Sequence, residues 1–199
     1  MRVLVVCTGN VCRSPMGELL LARYLEGTSI QVSSAGTRGL PSHHIDPSSA
    51  RLLDAVGIDS GGFRSRRLTR PMVLSAELIL CFEKRQRRDI VSLAPTAVRY
   101  TFLLGEFAQM CEYCARRGTV TGLTIQERLL SVIRHSAMVR PMLAETPDIV
   151  DPIGKDFAVF EQAAEETNAA LRRILTSMRK HYAEPSVARS SRDGRLSAV

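Results

Sequence analysis

The 199-residue chain has no tryptophan, and phenylalanine and tyrosine bring its aromatic content to only 5%. So few stacking platforms argue against a module that binds single-stranded nucleic acid. Lysine is scarce too: only Lys84, Lys155 and Lys180 occur, so the net charge of +7 is carried by arginine. No apolar run approaches the ~18 residues of a transmembrane helix, which excludes membrane insertion by that route. The apolar start, Met1 to Cys7, has no small-residue cleavage site behind it and reads as a buried strand, not a signal peptide. The five cysteines are odd in number and lack framework spacing. That excludes a disulfide-stapled secreted fold and favours a reducing, cytoplasmic setting.

What remains is an ordinary globular composition, 45% hydrophobic and 24% charged, in a chain sized for one domain. The excess of arginine points to an anionic partner without choosing which. Strands are expected at residues 2–6, 30–34, 77–82 and 98–103. Helices are expected from Pro15 to Gly27, from an Asp46-Pro47 start to Gly57, and from Asp156 to His181. This alternation predicts an α/β fold with a parallel sheet covered by helices on both faces. Two segments exceed that plan. Residues 105–147 form a long insert, in which Thr124-Ile125-Gln126-Glu127 is a capping-box start for one extra helix. Residues 183–199 are rich in serine and arginine and read as a disordered tail, leaving a domain over 1–182.

The first strand runs into Cys7-Thr8-Gly9-Asn10-Val11-Cys12-Arg13-Ser14-Pro15 and then a helix. Such a strand-to-helix loop aims backbone N–H groups at one point, at the positive end of the helix dipole. A thiol at its rim feels a field that favours the nucleophilic thiolate. Arg13 can fork two donors onto a bound phosphate. Spacing alone does not identify the site, because Cys81 with Arg87 and Cys111 with Arg117 repeat it. Context does: the stretches after Cys81 and Cys111 are acidic and lack glycine, whereas Cys7 follows a buried strand and precedes Gly9, Asn10 and a helix start.

The run CTGNVCRSPMGE, Cys7 to Glu18, resembles the signature loop of the low-molecular-weight protein tyrosine phosphatases of bacterial type. The likeness continues at Ser34-Ala35-Gly36-Thr37, Arg66-Arg67-Leu68-Thr69, Leu80 to Arg85 and Asp148-Ile149-Val150-Asp151-Pro152. It covers most of residues 1–104 and 147–180. The resemblance implies a flavodoxin-like three-layer fold with a four-stranded parallel sheet and a site at the C-terminal edge of the first strand. It implies that Cys7 attacks phosphorus to form a phosphocysteine, with the phosphate held by Thr8, Gly9, Asn10, Val11, Cys12 and Arg13. Ser14 matches the hydroxyl that steadies the thiolate, and Asn10 the residue that props the loop. No metal or cofactor is implied, and the lone Cys111-Glu112-Tyr113-Cys114 pair makes no zinc site.

A general acid is needed for a leaving group of pKa ~10, and one carboxyl can serve as acid and then base. Of the eight aspartates, Asp46 and Asp151 precede proline. Asp46 is explained as a helix cap. Asp151 sits in a loop, is held extended by Pro152, and matches the family's acid; Asp148 is the fallback. Family members carry aromatics directly after this Asp-Pro. Here Ile153 and Gly154 replace them, so Ile153 and Leu40 are expected to line the substrate slot. Val11 favours tyrosine over the arginine phosphatases of the family, which place threonine there. Cys12 is either a small loop filler or, as in the family, a disulfide partner that protects Cys7. The expected partner is a phosphotyrosine-bearing protein, and Glu83-Lys84-Arg85 resembles members linked to bacterial tyrosine kinases of exopolysaccharide synthesis. Nucleic acid is not expected as a partner. The rival on the same scaffold, a thiol-dependent arsenate reductase, needs relay cysteines that Cys81 lacks nearby.

Overall fold

A computed structural model describes residues 1–179. The expected tail at 183–199 lies outside the described residues. Val3 to Val6 are apolar without alternation because the strand they form, β1 (Arg2–Cys7), is covered on both sides. It pairs in parallel with β2 (Gln31–Gly36) and β3 (Leu78–Cys81), and β3 pairs with β4 (Thr101–Leu103), giving the order β2-β1-β3-β4. Alternate residues point to opposite faces. Leu4, Val6, Ile79 and Cys81 pack with Val73 of α3 (Arg70–Ser75) and Ile90 of α4 (Lys84–Leu93). Val3, Val5, Leu78 and Leu80 pack on the other side with Leu20 of α1 (Arg13–Tyr24), Phe107 of α5 (Leu104–Arg116) and Leu171 of α7 (Phe157–Ser177). This is the flavodoxin-like α/β fold expected from the sequence. The chain leaves β1 towards β2 but enters β3 and β4 on β1's other side, so a crevice opens beyond the carboxyl ends of β1 and β3.

Some boundaries differ from expectation for local reasons. Residues 98–100 are not strand, because Pro95 starts a 3₁₀ turn that runs to Arg99 and leaves Val98 exposed. β2 extends to Gly36, since its pairing with β1 continues to Cys7 opposite Gly36. α2 (Pro47–Asp54) opens on the expected cap, with the Asp46 carboxylate accepting the Ser48 N–H at 2.8 Å. The 105–147 stretch holds two helices and not one. α5 uses its first residues to cover β4 and buries Phe107, Met110, Cys111 and Cys114, so it is core. α6 (Ile125–Val139) is the expected extra helix, closed by reciprocal bonds between Thr124 and Glu127. Arg173 of α7 forks onto Glu112 of α5, donating from Nε and from Nη2, each at 2.7 Å.

Candidate active site

The loop from Cys7 to Arg13 joins β1 to α1, and its shape is set by Asn10. This residue adopts φ of 58°, a left-handed conformation that asparagine tolerates better than most side chains. Its Oδ1 accepts the Arg66 N–H at 2.7 Å, which fixes the amide orientation. Nδ2 then donates to Ser14 Oγ at 2.9 Å and to Ser34 Oγ at 2.7 Å. Ser34 Oγ in turn donates to Glu18 Oε2 at 2.5 Å. Because Ser14 Oγ accepts from Asn10, its own proton is available to Cys7 Sγ, 2.9 Å away. The Asn10 N–H also donates to Cys7 Sγ, at 3.2 Å. The sulfur therefore receives two hydrogen bonds, one from the Ser14 hydroxyl and one from the Asn10 N–H. Cys7, Asn10, Arg13 and Ser14 are all buried.

The end of β2 clamps this loop from outside. Thr37 N–H donates to Cys7 O and Arg38 N–H to Thr8 O, both at 2.9 Å. Gly36 is required there: a Cβ on it would lie 2.6 Å from Thr8 O and 2.9 Å from Asn10 N.

Arg13 faces the crevice from the start of α1. Nη1 donates to Glu83 Oε1 at 2.6 Å and to Ile149 O at 2.8 Å, and Nη2 pairs with Asp151 Oδ2 at 2.7 Å. Its Nε is buried and has no partner among the described residues. A buried guanidinium N–H without an acceptor is uncommon, and a bound oxyanion is the chemistry that would satisfy it. Gln86 ties the loop to α4, donating from Nε2 to Thr8 Oγ1 at 3.2 Å and to Glu83 Oε1 at 2.9 Å.

Of the residues singled out in the sequence, Cys7, Asn10 and Ser14 thus form one hydrogen-bonded group, and Arg13 with Asp151 forms a second at the start of α1. Asp148 stands apart from both, its Oδ1 accepting the Lys84 N–H at 2.9 Å. Cys12 occupies the N-cap position of α1, where burial and then the Asp46 carboxylate push its thiol up to about 12. Leu40 and Ile153 are 60% and 50% exposed. Each lies on a segment bordering the crevice: Leu40 follows the Gly36–Gly39 turn, and the Ile153 N–H approaches Asp151 Oδ1 at 3.4 Å. Cys81, Cys111 and Cys114 are core, and burial raises the thiol of each.

Sequence reasoning missed Glu83, Gln86, Ser34 and Glu18. Glu83 and Gln86 follow β3 at the crevice where the sheet order reverses, and that position was a readable signal. Ser34 and Glu18 stand within stretches that resemble the family, but their part in the site depends on the register that sets β2 beside the loop. Burial raises the Glu18 carboxyl, against the lowering effect of its hydrogen bond from Ser34.

Fold and loop together define an α/β protein with a buried, hydrogen-bonded cysteine in a strand-to-helix loop at the carboxyl end of β1. The family model described as low molecular weight phosphotyrosine protein phosphatase matches residues 2–115. The low molecular weight protein-tyrosine-phosphatase Etp of Escherichia coli K12 is 38% identical over 110 residues, covering 55% of this chain and 73% of Etp. Among solved structures, the tyrosine phosphatase Wzb from Escherichia coli K30 in complex with sulphate aligns with a TM-score of 0.64 at 26% identity, over 86% of this chain and 94% of that one. The YwlE arginine phosphatase from Geobacillus stearothermophilus aligns at 0.66 and 25% identity, over 89% and 92%. The chain belongs to the low molecular weight phosphotyrosine protein phosphatase family.

Proposed function

We propose that the protein is a protein-tyrosine phosphatase that hydrolyses phosphomonoesters through a phosphocysteine on Cys7. The observation that carries this reading is the pair of donors on Cys7 Sγ in a loop that ends at Arg13, whose buried Nε has no acceptor among the described residues. The Cys7 thiolate attacks phosphorus, the S–P bond forms as the ester P–O bond breaks, and Asp151 protonates the departing phenolate. Arg13 and the amides of residues 8–13 stabilise the equatorial oxygens throughout. Asp151, now a carboxylate, takes a proton from water. The water attacks phosphorus, the S–P bond breaks, and the Ser14 hydroxyl stabilises the returning thiolate. Phosphate leaves, and no cofactor or metal is needed.

Leu40 and Ile153 would line the slot for the tyrosine ring, and Val11 would narrow the loop in favour of tyrosine over arginine. The substrate is a phosphotyrosine-bearing protein, with a bacterial tyrosine kinase as the expected partner, in the cytoplasm. Turnover of para-nitrophenyl phosphate by wild type and by Cys7→Ser tests the nucleophile. Cys7→Ser is expected to be inactive, and substantial retained activity would overturn the assignment. Faster release of phosphate from a phosphoarginine peptide than from its phosphotyrosine counterpart would move the specificity to arginine.

A further inference from the structure

The loop that carries Asp151 is attached to the rest of the site just before it reaches the crevice. We propose that Asp148 is a positioning residue for Asp151, acting by capping α4 from a distant part of the chain. This rests on the reading of Asp151 as the general acid.

Lys84 is the first residue of α4, so its N–H has no carbonyl partner inside the helix. Asp148 Oδ1 accepts it at 2.9 Å across a separation of 64 residues. A carboxylate there gains both the hydrogen bond and the favourable end of the helix dipole. The next residue is held twice. Ile149 N–H donates to Phe82 O at 2.9 Å, and Ile149 O accepts from Arg13 Nη1 at 2.8 Å. These successive attachments join residues 148–149 to the β3–α4 junction and to Arg13. Only Val150 then separates the anchored stretch from Asp151, whose Oδ2 reaches Arg13 Nη2.

Of the three, only the Asp148 attachment uses a side chain of this loop. The neighbouring ties are of a different kind. Glu145 pairs with Lys84 Nζ at the open surface, and Thr146 accepts from Gln109 on the insert side. Losing Asp148 leaves both backbone bonds of Ile149 in place, so the loop stays attached with a looser setting. Proton transfer is the step that feels this, because a misplacement of about 1 Å costs up to ~100-fold. Attack by Cys7 does not pass through the Asp148–Lys84 bond, and Arg13 keeps its own contact to Ile149 O without it.

The test uses the full chain as wild type, Asp148→Ala, Asp148→Asn, Glu145→Ala and Asp151→Asn. Each is assayed for kcat/KM, which reports ester cleavage and not the shared hydrolysis of the phosphocysteine, on aryl phosphates running from 2,4-dinitrophenyl to phenyl phosphate. Asp148→Ala is expected to lose roughly tenfold on phenyl phosphate and less than about twofold on the dinitrophenyl ester, with phosphate inhibition unchanged. Asp148→Asn keeps an acceptor for the Lys84 N–H and should recover most of the loss. Glu145→Ala should match wild type. If Asp148→Ala does not fold, Asp148→Ser, too short to reach the Lys84 N–H, carries the same expectation. A loss equal on every leaving group, falling in step with Tm, marks mere destabilisation and overturns the proposal. So does wild-type behaviour of the truncation when Asp151→Asn shows the leaving-group dependence. If Asp151→Asn itself lacks that dependence, the general-acid reading fails first.

Discussion

Arg13 is where the residue-level chemistry is most constrained, because the oxyanion and Asp151 must share one guanidinium. In the structure Asp151 occupies Nη2, and Glu83 with Ile149 O occupies Nη1. A phosphate dianion must therefore compete with the Asp151 carboxylate as well as bind. Asp151→Ala should lose about 100-fold in kcat on poor leaving groups. The same variant should bind inorganic phosphate more tightly, by roughly two- to fivefold, as expected for removing a half-exposed ion-pair partner. Inhibition constants for phosphate measure this directly, and weaker binding in Asp151→Ala would show that the pair does not compete. Cys12 poses a second residue-scale question. If it forms a disulfide with an oxidised Cys7, the Cys12 thiolate attacks the sulfur of the Cys7 sulfenic acid, the S–S bond forms as the S–O bond breaks, and hydroxide leaves. Burial and Asp46 push the Cys12 thiol up to about 12, so its thiolate fraction rises about tenfold per pH unit from neutrality towards that value. After a brief peroxide pulse, the fraction of activity recovered by dithiothreitol should thus rise between pH 7 and pH 9 in wild type. A Cys12→Ser variant that recovers as much activity as wild type at both pH values would remove Cys12 from the chemistry.

Between residue and element, the close fit of β2 against the phosphate loop is the vulnerable joint. Gly36 ends β2 with no room for a methyl group against Thr8 O and Asn10 N, both backbone atoms that a rotamer change cannot move. Gly36→Ala should cost about 1–3 kcal/mol, lower Tm by about 5 °C, and reduce para-nitrophenyl phosphate turnover at least tenfold by shifting the amides. Unchanged melting and unchanged turnover together would mean that the loop yields freely. This joint also marks the limit of what local sequence could show. The nucleophile loop was legible because strand, glycine, asparagine and helix start are neighbours along the chain. α2 and α6 were legible because Asp46-Pro47 and Thr124–Glu127 are local caps. The Asn10–Ser34–Glu18 relay and the Glu83 contact to Arg13 were not, since each joins elements that only the sheet order β2-β1-β3-β4 makes adjacent. The insert misled for a related reason. Its first half, α5, buries one face against β4 and α7 and so belongs to the core, although nothing in its local pattern distinguishes it from an added helix.

For the molecule as a whole, the outstanding property is a net charge of +7 borne almost entirely by arginine. Several of these arginines are spent internally: Arg13 on Glu83 and Asp151, Arg140 on Glu106, Arg173 on Glu112. Others stay exposed on segments that meet the phosphate loop or the β3–α4 junction, among them Arg38, Arg67, Arg85 and Arg88. The Arg38 N–H bonds to Thr8 O, and Arg67 bridges to Gly36, so both backbones lie directly beside the loop. A field of this sign at the crevice raises the encounter rate with anionic substrates and is screened over about 10 Å at 0.1 M salt. It contributes little once the ester is bound, because the buried contacts to Arg13 and the loop amides are screened far less. Raising ionic strength from about 0.02 to 0.5 M should therefore lower kcat/KM for an acidic phosphotyrosine peptide by roughly tenfold while leaving kcat unchanged. Para-nitrophenyl phosphate, small and carrying only its phosphate charge, should respond much less. Neutralising Arg67 and Arg85 to glutamine should flatten the salt dependence for the peptide and leave turnover of the small ester as it was. An equal decline for both substrates with salt would instead place the effect on phosphate binding itself, and the surface arginines would then be solvating charge with no part in substrate capture.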